Sequence, residues 1–190
     1  MILPIRAYGD TVLRKKAHDI STDYPELKEL IDNMFETMNA AHGIGLAAPQ
    51  IGLDIRLFIV DVTPLADDED YEDIADELKD FKKVFINARI LEESGNEWKF
   101  NEGCLSIPDV REDVSRKETI LIEYFDENFV KHTETFSDIR ARVIQHEYDH
   151  IEGVLFTDKL SPLKKKIIKG KLTKITSGDI HVGYKMRFPK

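Results

Sequence analysis

The stretch Gln145-His146-Glu147-Tyr148-Asp149-His150 constrains this chain more than any other. Ser137 and Asp138 read as a helix start, Ile139, Val143, Ile144 and Ile151 as its apolar positions, and Gly153 as its stop, which puts the stretch on a helix. Residues four apart on a helix are offset by about 6 Å of rise and roughly 40° of rotation. His146 and His150 can therefore aim ring nitrogens at one metal ion, and Glu147 can reach a water beside it. The same spacing also suits two surface histidines on an amphipathic helix. A fold that uses the stretch chemically must bring it a third ligand and a wall for substrate.

A catalytic metal typically takes three protein ligands and keeps one position open. The sole cysteine, Cys104, is a candidate third ligand, set between Gly103 and Leu105 where glycine lets backbone come close. A lone cysteine is equally a small buried hydrophobe, and Asp149 or Glu152 are alternative ligands. A second anomaly is Gly43-Ile44-Gly45-Leu46-Ala47-Ala48-Pro49-Gln50. It leaves backbone uncovered and ends in an amide donor able to stabilise charge on oxygen. Read blandly, it is a helix stop and a tight turn. It is no phosphate loop, because neither Lys-Ser nor Lys-Thr follows the glycines.

The rest of the chain predicts an α+β fold, a single compact domain of short, mostly antiparallel strands around the central metal-binding helix. Leu27, Leu30, Ile31, Met34, Phe35 and Met38 recur at helical spacing, which predicts an N-terminal helix from near Tyr24 to near Ala41, with Asp23 and Glu26 as a capping box. Strands are expected over Arg56 to Val60 and Val84 to Ile90, with a turn at Ser94-Gly95-Asn96. A hairpin is expected from Thr119 to Phe136, turning at Asp126-Glu127-Asn128. Ser161-Pro162 opens a short basic helix, and Ile180, Val182, Tyr184, Met186 and Phe188 alternate as a C-terminal strand. With 190 residues the chain reads as one domain over 1–190, of which 161–190 is the basic helix and strand. Of the net charge of −9, −8 comes from Asp67 to Asp80, so residues 66–80 read as a solvated acidic insertion with a short exposed helix at Tyr71 to Leu78. No run of eighteen apolar residues occurs, the start has no signal-peptide pattern, and a single cysteine suits a reducing cytoplasm.

Taken together, the glycine loop, Glu102-Gly103-Cys104-Leu105-Ser106 and the histidine stretch resemble, in order, the three signature motifs of the peptide deformylase family. Leu13-Arg14, Ile107-Pro108, Val154-Leu155-Phe156 and Leu160-Ser161-Pro162 extend the resemblance over about residues 2 to 168. It implies removal of the N-formyl group from the first methionine of new polypeptides, releasing formate. Cys104, His146 and His150 would bind the metal, with water as fourth ligand; Fe²⁺ is expected, with Zn²⁺, Ni²⁺ or Co²⁺ able to take its place. Glu147 would be the general base. Gln50 and the Leu105 N–H would hold the oxyanion, with Gly45 beside them. The peptide would lie extended along Gly43 to Gly45 and the chain after Cys104. Ile44, Ile139 and Val143 would line the methionine pocket, Arg142 would lend its stem while its charge reached water, and Arg111 would touch the downstream peptide. Glu102 and Arg116 would orient the cysteine loop.

The expected partners are N-formylmethionyl peptides, with no DNA and no membrane, for a monomer in the cytoplasm. Lys164, Lys165, Lys166, Lys169, Lys171 and Lys174 offer either a weak ribosome contact or a solvated helix face. The terminal strand and the acidic insertion depart from the form of the family that ends in a long helix. Two other readings compete. A different metallopeptidase would cleave unformylated internal bonds. A non-catalytic module for peptide N-termini would have no use for Glu147 and Gln50, since neither is needed to hold a metal.

Overall fold

The computed structural model describes residues 1–189. In chain order its helices and strands are β1 (Ile5–Arg6), α1 (Leu27–Ala40), β2 (Gly45–Ala47), β3 (Leu57–Asp61), α2 (Ala75–Leu78), β4 (Lys82–Cys104), β5 (Ile107–Phe125), β6 (Lys131–Ser137), α3 (Asp138–Ile151), α4 (Pro162–Ser177) and β7 (Met186–Arg187). Strands β2 to β6 form one antiparallel sheet in sequence order, and β1 pairs with β7 in parallel.

Strand β3 shows why the sheet sits between two helices. All five of its residues are buried, and alternate side chains go to opposite faces. Phe58 and Val60 join Phe85, Tyr124, Phe136, Ile139 and Ile144 under α3. Leu57 and Ile59 join Met34, Met38, Val84 and Ile86 against α1. The Phe58 and Phe85 rings stack at 4.7 Å between centroids. Each such side chain, fully buried, contributes about 1.5–3 kcal/mol. A third apolar cluster, with Leu13, Val110, Phe156, Ile168 and Ile175, seats α4 beneath β5.

Several local expectations are corrected. Helix α1 starts at Leu27, not near Tyr24, and the Asp23–Glu26 capping box does not form: Glu26 is left-handed at φ 53° without a side-chain cap, and Asp23 instead takes the Ser21 hydroxyl. Ser137 does not cap α3 with its side chain, because its hydroxyl pairs with Thr119 across the β5–β6 ladder at 2.9 Å. Asp138 takes over, its Oδ1 accepting the Arg140 N–H at 3.0 Å. Gly153 ends α3 in the left-handed region at φ 75°, as its position predicts. Ser94–Asn96 is not a chain reversal but a bulge in β4, where the register to β5 shifts between Ser94 and Glu97.

The acidic stretch carries a six-residue 3-10 segment, Glu69–Ile74, before the short α2. It is not wholly solvated: Leu78 is buried in the core under α3, with Tyr71 and Ile74 packed against it. Helix α4 is longer than expected, running on to Ser177. Beyond it the tail keeps the predicted alternation as burial. Ile180, Val182, Tyr184, Met186 and Phe188 are half-buried, and the residues between them are more exposed. Among the described residues of the tail only Met186 and Arg187 make ladder pairs, with Ile5 and Arg6, so the expected C-terminal strand shrinks to two residues.

Candidate metal centre

Helix α3 runs under the sheet and brings its middle to the end of β4. Cys104 is the last residue of β4 and faces Ile107, the first of β5, across a two-residue turn, Leu105-Ser106. That turn places the thiol against α3. One ligand atom each from Cys104, His146 and His150 lie within 4.8 Å of one another, with Cys104 Sγ 3.2 Å from His150 Nε2. The other candidate ligands are engaged elsewhere. Asp149 accepts Arg116 Nη1 at 2.7 Å and pairs with Lys159, and Glu152 accepts Arg56 Nη1 at 2.6 Å and pairs with Lys16.

Glu102 orients this cluster. Burial alone would raise its pKa, but Arg116 and His146 outweigh burial and hold the carboxyl well below its usual range. A carboxylate can only accept, so the 3.0 Å contact with His146 Nδ1 puts a proton on Nδ1 and makes Nε2 the nitrogen left to face a metal. Arg116 grips the same carboxylate through Nε at 2.7 Å and Nη2 at 2.9 Å. His150 is held well below the usual histidine pKa by burial foremost, so its ring is neutral. Its buried Nδ1 has no partner among the described residues. A half-buried sulfur and two imidazoles that converge are a donor set that fits a divalent transition metal.

Glu147 is buried one residue further round α3, and burial foremost raises its pKa to about 7. A carboxyl poised there can both take and return a proton at neutral pH. It fits because residue 45 is glycine: a Cβ on Gly45 would fall 2.4 Å from Glu147 Oε1. Gln50 is oriented by its own loop, its Oε1 accepting the Ala47 N–H at 2.8 Å. Its Nε2 is thereby turned toward Cys104 Sγ at 3.5 Å and Ser106 Oγ at 3.3 Å.

The family model described as polypeptide deformylase matches residues 2–166. The chain is 64% identical over 190 residues to a peptide deformylase of Christiangramia forsetii, covering 100% of this chain and 97% of that one. The chain belongs to the peptide deformylase family. A peptide deformylase of Flavobacterium johnsoniae is 62% identical over 189 residues, covering 99% and 96%. The crystal structure of a Legionella pneumophila peptide deformylase superposes with a TM-score of 0.79 at 36% identity, covering 94% of this chain and 98% of that one. Peptide deformylases are metal-dependent enzymes that remove the N-formyl group from nascent polypeptides, and this chain is one of them.

A cavity of about 590 Å³ opens onto the cluster of this deformylase, bounded on one side by Gly43, Ile44 and Gly45. Val143, His146 and Arg111 line it as well. Ile139 does not line it; its side chain is in the core under the sheet. Arg142 lines the cavity, but its charge does not reach water. The guanidinium donates to Glu102 Oε1 at 2.9 Å and to the Val114 and Trp98 carbonyls at 3.0 and 2.7 Å. It also lies 4.4 Å over the Trp98 ring. Arg111 is turned back onto Asn101 through Nε at 3.0 Å and Nη2 at 2.6 Å.

A further wall comes from the C-terminal tail. His181, Val182, Gly183 and Tyr184 of the tail border the cavity, and the Tyr184 hydroxyl donates to the Leu105 carbonyl at 2.7 Å. The apolar alternation through Val182 and Tyr184 indicated a packed segment, but nothing local in the sequence indicated what it would pack on.

Proposed function

We propose that Cys104, His146 and His150 hold one divalent metal, Fe²⁺ in the cell, with Zn²⁺, Ni²⁺ or Co²⁺ as replacements, and that Glu147 is the general base. The observation that carries this is the convergence of three ligand atoms within 4.8 Å beside a buried carboxyl that packs on Gly45. When bound, a divalent metal supplies Lewis acidity and lowers the pKa of water towards 7. Glu147 takes a proton from the attacking water and returns it to the leaving amine. The Gln50 amide and the Leu105 N–H receive the negative charge that develops on the formyl oxygen; one such donor is worth about 3–4 kcal/mol. Glu102, held by Arg116 and Arg142, keeps His146 in one tautomer and one orientation.

The peptide lies extended along Gly43 to Gly45, with Arg111 available to residues further along the peptide. The methionine side chain enters between Ile44 and Val143, with the His146 ring at its edge. We read the whole of 1–190 as one catalytic domain in a cytoplasmic monomer, with 66–80 as an insertion on its surface. Any ribosome contact through the basic face of α4 is weak, because part of that face is used internally: Lys164 pairs with Glu112 at 2.9 Å and Lys171 donates to the Asp109 carbonyl at 3.2 Å.

The test is anaerobic purification with metal analysis, followed by assay of formyl-Met-Ala-Ser and its acetylated analogue. One metal per chain and fast release of formate, with the acetyl peptide untouched, is the expected result. Equal turnover of the two peptides would overturn the assignment of the cavity and the oxyanion donors.

A further inference from the structure

The Leu105-Ser106 turn lies between a metal-ligand candidate and the sheet, and the ladder does not hold it. Cys104 and Ile107 are its last paired residues. A two-residue turn directs its own peptide groups away from the ladder, so they need outside partners. The Ser106 carbonyl accepts the Tyr8 N–H at 2.8 Å, and the Ser106 hydroxyl takes Gln50 Nε2. The Leu105 carbonyl accepts the Tyr184 hydroxyl at 2.7 Å. The Leu105 side chain is pinned as well, because its Cδ1 lies 2.8 Å from where a Cβ on Gly43 would be.

Two of these anchors belong to a single brace. The β1–β7 ladder is extended by Ile5 N–H to the Lys185 carbonyl and Ala7 N–H to the Arg187 carbonyl, each at 2.9 Å. Tyr8 lies two residues after β1 and Tyr184 two residues before β7, so the two ends of the chain are tied together and grip the turn through neighbouring carbonyls. The Tyr184 ring is half-buried against the cluster under α1, which fixes where its hydroxyl lies.

We propose that Tyr184 is a positioning residue for deformylation: by holding the Leu105 carbonyl it fixes the turn so that the Leu105 N–H faces the reacting formyl oxygen. This rests on the reading of Leu105 as an oxyanion donor. The Leu105 carbonyl and N–H belong to adjacent peptide planes joined at one Cα, so freeing the carbonyl lets the N–H plane swing. A displacement of about 1 Å at a reacting group costs up to about a hundredfold in rate, and a partial swing costs less. The donor matters in the transition state more than in the ground state, so the loss falls on kcat.

The experiment compares wild type with Tyr184→Phe, each loaded with one Zn²⁺ and assayed on formyl-Met-Ala-Ser. Expected is a fall in kcat of about tenfold with KM within about twofold, unchanged metal content and an unchanged far-UV spectrum. In ¹⁵N-labelled, Zn²⁺-loaded protein, the Leu105 amide resonance should shift and its order parameter should fall in the variant. Tyr184→Phe matching wild type in kcat would overturn the proposal, as would a loss confined to KM or explained by lost metal. Should the variant prove too unstable to assay, a Leu105 amide order parameter in wild type as low as that of a flexible loop, below about 0.6, would overturn it instead. Failure of wild type itself to release formate would reject the underlying site assignment, which separates the two failures.

Discussion

Gly45 and Glu147 occupy each other's space: a Cβ at position 45 would lie 2.4 Å from the Glu147 carboxyl oxygen and 2.8 Å from its Cδ. Glu147 is buried and also lines the cavity, so an added methyl would push its carboxyl off its place beside the histidines. Gly45→Ala should therefore lower kcat by roughly a hundredfold through misplaced proton transfer, while the three ligand side chains keep the metal. Steady-state kinetics together with metal analysis of the same preparation check this. Full activity in the alanine variant would show that the loop, not Glu147, yields.

Glu147 can be tested directly. Glu147→Ala should retain the metal, since ligation falls to Cys104, His146 and His150, and should lose turnover by at least about a hundredfold. Loss of metal with the fold intact would reassign Glu147 as a ligand. Undiminished turnover would remove it from the mechanism.

The parts of this site that were legible in sequence are those set by local spacing. Two histidines four apart on a helix needed only the 3.6-residue period, β3 needed only its unbroken apolar run, and the alternation through Val182 to Met186 needed only the period of two. The errors came from partners distant in sequence. Arg142 looked like a snorkelling wall residue because Glu102, forty positions away, could not be seen to want a second guanidinium. Ser137 looked like a cap until Thr119 of the neighbouring strand took its hydroxyl. The β4 bulge at Ser94–Asn96 carried turn residues, and only pairing with β5 distinguishes a bulge from a reversal. Tyr184 was placed in a strand face, but its role at the Leu105 turn depends on the pairing of the two chain ends.

Glu102, 4% exposed, carries the charge on which Arg116, Arg142 and His146 converge. Glu102→Gln should cost about 3–5 kcal/mol in stability, because the buried Arg142 loses its counter-charge and Arg116 keeps only Asp149. It should also weaken metal binding by about 10–100-fold, because His146 loses its orienting acceptor. Adding Arg142→Met should recover part of the stability by removing one stranded cation, without restoring metal affinity. Urea unfolding and competitive metal titration separate the two effects. Recovery of metal affinity in the double variant would show that charge, not orientation of His146, was at issue.

Asp158 joins the N-terminal segment to the chain after α3, accepting Arg14 Nη1 at 2.5 Å and the Leu155 N–H at 2.9 Å. Burial alone would raise its pKa, but the Arg14 and Leu155 hydrogen bonds outweigh burial and hold it below the usual 3.8. A carboxyl depressed on folding adds stability above its unfolded value, and that stability is lost as pH falls through the folded one. Both side chains are about two-fifths exposed, at 43% and 41%, so solvent screening keeps the contribution to roughly 0.5–1 kcal/mol. Asp158→Asn should thus be less stable than wild type by that amount at pH 7 in low salt. The gap should narrow below about pH 4 and in 1 M salt, where the Debye length falls to about 3 Å. Urea midpoints at pH 7 and pH 3, with and without salt, test this. A gap of the same size under all these conditions would mean that the aspartate acts through its neutral hydrogen bonds rather than through its charge.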